Sequence, residues 1–151
     1  MVASRYFMAL IAIAISQPVS AVCLDPTIFV SGYHLPLNAE VQSTSFIGIG
    51  KVIHEKALQE DPSDPYGITA TIYTVTIFRQ LKGRLPRTIS IMVENDSGRY
   101  PMGVGEEHLL FLAKEDGHYS VNSCGNSSVL PQGNALLQQV EEKMALASDA
   151  P

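Results

Sequence analysis

Apolar and polar positions alternate along the middle of the chain, then change period near its end. Phe46-Ile-Gly-Ile-Gly-Lys-Val-Ile, ending at Ile53, has the two-residue repeat of a strand, with Gly48 and Gly50 on the face shared by Phe46 and Val52. Glycines two apart on one face admit a closely approaching backbone, or let the strand coil sharply as a small barrel requires. Ile68 to Arg79 predicts a second strand, with Ile68, Ala70 and Ile72 on one face and Tyr73, Val75 and Ile77 on the other; its length calls for a bend or bulge partway. Thr88 to Val93 returns after a turn at Leu81-Lys-Gly-Arg-Leu-Pro86, with Ile89, Ile91 and Val93 inward. Leu109 to Ala113 is apolar at successive positions, so it is expected as a central strand buried on both faces. A hairpin turn at Glu115-Asp-Gly117 leads to His118–Asn122. Five strands of this kind make an antiparallel meander that can close into a small barrel.

The remaining segments read as connections, with one exception. Leu24 to Glu40 carries Pro26, Gly32 and Pro36 and is expected as an irregular lead-in with at most a short helical turn. His54 to Gly67, with Glu60, Asp61, Asp64, Pro62 and Pro65, reads as a solvated linker; its carboxylates lack the alternating ligands and central glycine of a calcium loop. From Gly133 onward Leu136, Leu137, Val140 and Met144 share one helical face, which predicts an amphipathic helix over 134–147 capped by Asn134. Its stripe is expected to pack on the barrel, or alternatively to meet a partner.

The first residues bear on location. Arg5 precedes an apolar run from Tyr6 to Ile15, then Pro18, Val19 and Ala21, the pattern of a secretory signal peptide over 1–21. The run is about half the roughly 20 residues that span a bilayer, so no membrane association is expected after its removal. Residues 22–151 then form one domain, secreted or periplasmic. The full chain has 15 acidic and 10 basic residues; losing Arg5 takes the net charge from −5 to −6, against a nucleic-acid partner, which needs Lys and Arg for the phosphates. In an oxidising compartment the two cysteines, Cys23 and Cys124, are expected as an intramolecular disulfide, the alternatives being an intermolecular bond or free thiols.

Reaction chemistry is not apparent. His34, His54, His108 and His118 are dispersed without the spacing of a zinc helix; His108 and His118 sit where a partly exposed histidine is ordinary. Ser127 lacks a nucleophile elbow, and Gly48-Ile-Gly50 lacks the continuation of a phosphate loop. No cofactor and no metal are expected. Asp96 and Arg99 either form a polar pocket or brace the turn between them. Asn95-Asp-Ser97 and Asn126-Ser-Ser128 match glycosylation acceptors, relevant only in a eukaryotic secretory pathway. The long loop from Glu94 to Glu107 carries Arg99, Tyr100, Pro101 and Met102, whose types are enriched at interfaces. Arg99, Tyr100 and Met102 are thus candidate binding residues for a protein partner, unless Tyr100 and Met102 fold back to plug the barrel end.

A long strand ending in Phe78–Leu81, a Lys-Gly turn, a loop, the Gly-x-x-x-Leu-Leu-Phe strand of Gly105–Phe111 and Cys-Gly-Asn-Ser from Cys124 occur in an order that resembles the netrin-like domain family. That family includes the N-terminal domains of tissue inhibitors of metalloproteinases, and the likeness is closer to its bacterial secreted members. The resemblance covers Cys23 to Leu130 and implies a mainly β fold, a five-stranded antiparallel OB-type barrel with the C-terminal helix added. It also implies a non-catalytic binding module or, alternatively, a protease inhibitor whose N-terminal cysteine chelates the protease zinc. Only Cys23 corresponds to that cysteine, and the expected cleavage leaves Val22 ahead of it.

Overall fold

The computed structural model describes residues 23–148 apart from positions 26, 29–30, 62, 64–65, 97 and 116. The expected signal peptide over 1–21, with Val22, lies outside the described residues, as do Pro26, Pro62, Asp64, Pro65, Ser97 and Asp116. The elements are α1 (Leu37–Ser43), β1 (Phe46–Gln59), β2 (Ile68–Lys82), β3 (Thr88–Glu94), β4 (Glu107–Glu115), β5 (His118–Val121), β6 (Ser128–Leu130) and α2 (Asn134–Ser148).

Five strands are linked in a ring. β1 pairs with β2, β2 with β3, β3 with β5, β5 with β4, and β4 back to β1, while β6 adds to the free side of β4. This corrects the simple antiparallel meander in two ways: there is a sixth strand, and β3 meets β5 in parallel at Ile91↔Tyr119. Strand direction along the chain forces that parallel contact, because closing the ring makes β5, the partner of β4, also the neighbour of β3. The irregularity expected within Ile68–Arg79 is present: the register against β1 passes over Phe78 between Arg79 and Ile77 and over Thr69 between Ala70 and Ile68, with further shifts at Ile47/Gly48 and Val52/His54. β1 also continues to Gln59, through residues expected as linker. Those residues pair only with β2 and are exposed, so backbone hydrogen bonds hold them without an apolar repeat to betray a strand.

Two apolar layers result. Val52, Tyr73, Val75, Ile77, Ile91, Leu110 and Leu112 fill the ring interior, while Ile47, Ile49, Leu109 and Phe111 on the opposite face meet Val41 of α1 and Val140 of α2. β4 is therefore apolar on both faces because both are covered. The glycines of β1 permit its coil: a Cβ on Gly50 would lie 2.6 Å from Val75 Cγ1 and 2.9 Å from Ile77 Cδ1. Gly50→Ala is expected to cost about 1–3 kcal/mol through overpacking, read as a lower urea midpoint with unchanged slope. An unchanged midpoint would mean that the two strands separate there without strain.

The lead-in ends in a helix that its own seven residues would not sustain in water. Pro36 precedes its first turn, Val41 enters the outer apolar layer, and Lys82 Nζ reaches from the end of β2 to the Val41 and Gln42 carbonyls at 2.7 and 2.9 Å. Glu40 is buried, and its Oε2 accepts from Asn126 N and Nδ2 at 2.7 and 2.6 Å. Burial pushes the Glu40 carboxyl above its usual range. Asn126 Nδ2 also donates to the Leu35 carbonyl, so the amide nitrogen of that glycosylation triplet is engaged in the fold. Cys23 and Cys124 are bonded across a separation of 101 residues. α2 begins at Asn134 itself, a helical residue and not the flanking cap expected of it. No helix among the described residues is long and apolar enough to cross a membrane.

Candidate functional site

The segment between β3 and β4 is clamped at both ends. At its start the Asn95 amide N–H donates to the Thr69 carbonyl at 2.8 Å, Asn95 Nδ2 donates to the Ile68 carbonyl at 2.8 Å, and its Oδ1 accepts from Arg99. Asp96 Oδ1 closes the turn by accepting from Gly98 N at 2.8 Å. Asp96 and Arg99 thus brace the turn, as one of the two expectations had it. At the far end Gly103 N donates to Glu106 Oε2 at 2.7 Å, and Gly105, with φ of +90°, lets its N–H reach the Val52 carbonyl at 2.8 Å.

Between the clamps, Met102 is buried and Tyr100 packs against the ring interior. Of the three candidate binding residues only Arg99 is exposed; Tyr100 and Met102 fold back over the ring end. The Tyr100 hydroxyl lies 3.0 Å from His108 Nδ1, with the two rings edge to face at 5.7 Å. His108 is only 1% exposed, contrary to the partly exposed position expected of it. Its Nε2 lies 3.3 Å from Glu106 Oε2 without hydrogen-bond geometry and has no other partner. A carboxylate only accepts, so the proton of neutral His108 belongs on Nε2 and Nδ1 accepts from the Tyr100 O–H. Burial holds the imidazole below its ordinary pKa despite Glu106, and burial also pushes the Tyr100 phenol up.

A depressed folded pKa gives His108 a stabilising contribution that is present above the unfolded value near 6.5 and lost as pH falls through the folded value. His108→Asn keeps a partner for Tyr100 without the titration. Its stability is expected to fall less than that of the natural chain between pH 7 and pH 4, in urea unfolding across that range. Equal losses in both proteins would assign the acid sensitivity elsewhere.

Several depressions flank the loop, among them one at Gly105 and Glu106 beside Leu130 and Asn134. One groove runs over Tyr100, Met102, Glu106, His108, Ser127 and Val129. Ser127 Oγ accepts from Phe111 N at 2.9 Å, so this serine secures the chain against β4. Asp96 lines a different groove, with Leu58, Ile68 and Met92, and is not brought to His108 or Ser127. Arg99 and Pro101 border a small pocket of about 250 Å³ at the ring mouth, with Thr71, Tyr73 and Val93. Among the described residues no three metal-ligating side chains converge. The buried His108 link was missed because a histidine beside Leu109 carries no sign of burial when strands are read singly; the glutamate two residues before it was the available signal. No protein-family model matches the chain, and no curated protein matches its sequence at a significant level.

Proposed function

We propose that the chain is a secreted or periplasmic, non-catalytic binding module that holds a protein partner through the 95–106 loop and the grooves beside it. The observation that carries this reading is the set of bonds on the loop's described residues: Asn95 and Glu106 are tied at its two ends and Tyr100 is tied to His108, while Arg99 remains outward. A surface ordered before association loses less entropy on binding. Its frame is an OB-type barrel of netrin-like kind, supported by the β1-β2-β3-β5-β4 order closing on β1. The disulfide supports an oxidising compartment. The shielding of His108 and the engagement of Ser127 favour a structural role for both over a catalytic one.

The zinc-chelating inhibitor reading gains nothing from the geometry, since Cys23 is buried and its carbonyl accepts from Tyr33 N at 3.0 Å. A photo-crosslinking residue at position 99 is expected to give a discrete adduct in extracts of the source cells, while one at exposed position 78 gives none. Equal labelling from both positions, or none from 99, would overturn the loop as the binding surface.

A further inference from the structure

Strand faces on the β1–β2–β3 arm depart from what water dictates. Tyr73, Ile91 and Val93 point into the ring, so Ala70, Ile72 and Met92 lie on the outer face, where cross-strand pairing sets Leu58 against Ala70, Ala70 against Glu94 and Ile72 against Met92. That face would ordinarily be polar. Instead Leu58 is 36% exposed and Ile68 38% exposed, and with Ala70 and Met92 they floor a groove of about 490 Å³. The Asn95 bonds to the Ile68 and Thr69 carbonyls fix its wall.

Charge decides what fits. Glu60, Glu94 and Asp96 rim the groove, no lysine or arginine lines it, and no ion pair among the described residues engages the three carboxylates. Asp96 spends one oxygen on Gly98 and stays exposed. A wholly apolar occupant would strip water from these carboxylates without replacing it, and an anionic one would be repelled. Lysine and arginine meet both demands, since their stems are apolar and their heads charged.

We infer that this groove binds a short segment of a partner protein in which basic and apolar residues alternate, the apolar side chains on Leu58, Ile68 and Met92 and the cationic heads on Glu60, Glu94 and Asp96. The inference rests on the binding-module reading and names the chemistry of its partner. The probe is a blocked Lys-Leu-Lys-Leu-Lys peptide, titrated into the isotopically labelled full chain while backbone amide resonances are followed. Amides of residues 58, 68 and 92 should shift, affinity should fall as salt is raised, and a Glu60→Lys/Glu94→Lys variant with a native-like spectrum should lose about tenfold or more. Ile68→Ser should weaken binding by itself, which separates a built groove from diffuse attraction to an acidic protein. Equal binding of the Glu-for-Lys peptide, unchanged affinity of the double variant, or shifts confined to other surfaces would overturn the inference. If the peptide misses the groove while position 99 still yields its adduct, only the partner chemistry falls; if both fail, the binding-module reading falls with it.

Discussion

Serine at both Cys23 and Cys124 is expected to lower the unfolding free energy by about 4–5 kcal/mol, the chain-entropy value for closing a loop of this length. A domain of ordinary stability has roughly 5–15 kcal/mol in all, so the variant should sit near the edge of folding at 37 °C. Denaturant unfolding of the natural chain with and without reductant should show the same loss. Other contacts also hold the first described residues: Tyr33 N donates to the Cys23 carbonyl at 3.0 Å, Leu35 N to the Cys124 carbonyl at 2.9 Å and Asn126 Nδ2 to the Leu35 carbonyl at 2.8 Å. They add enthalpy but leave the unfolded chain unrestricted. A loss below about 1 kcal/mol would mean that these contacts suffice, or that the reduced unfolded chain stays compact.

Tyr100→Ala is expected to cost about 3 kcal/mol or more by opening a cavity over the ring end, with His108 Nδ1 left unpaired inside it. Tyr100→Phe keeps the ring contact and removes only the hydroxyl, so its cost is expected at about 1–3 kcal/mol, the penalty of a buried unsatisfied acceptor. The pair of variants divides the side chain's contribution between packing and the bond to His108. Melting temperature and the position-99 adduct should be measured together. A melting temperature unchanged in the alanine variant, with the adduct lost, would make Tyr100 a contact residue and not a packing one.

The strands of the ring were legible because each side chain's environment repeats every second residue, and the doubly apolar Leu109–Leu112 marked the strand with both faces covered. Gly48 and Gly50 announced the coil of β1. Elements held by distant parts of the chain were not legible. β6 has three residues, too few for a period, and exists because His108 and its neighbours offer Val129 and Leu130 a free edge. α1 depends on Asn126 and Lys82, which lie 86 and about 40 residues away. The β3–β5 contact follows from closure and not from either strand alone. At the loop, the interfacial composition of Arg99, Tyr100 and Met102 was visible, but the sequence left open which of them turn inward. His108 gives the Tyr100 hydroxyl a buried partner, and the ring interior takes up Met102.

Ring closure also sets an order of events for the nascent chain. β1, β2 and β3 emerge first and pair through neighbouring segments, but the seam between Phe46–Lys51 and Glu107–Leu112 joins positions about sixty residues apart. Contacts that distant form late, because the intervening chain must give up its freedom before they return any energy. Until then Ile47 and Ile49 have Val41 and Leu81 beside them but lack Leu109, Phe111 and Val140, and the run Leu109–Leu112, once made, is not yet covered on either face. Such surfaces in several chains can find one another first, so the yield of refolding should fall as protein concentration rises. The strand that closes the ring is thus also a source of misassociation while the ring is open.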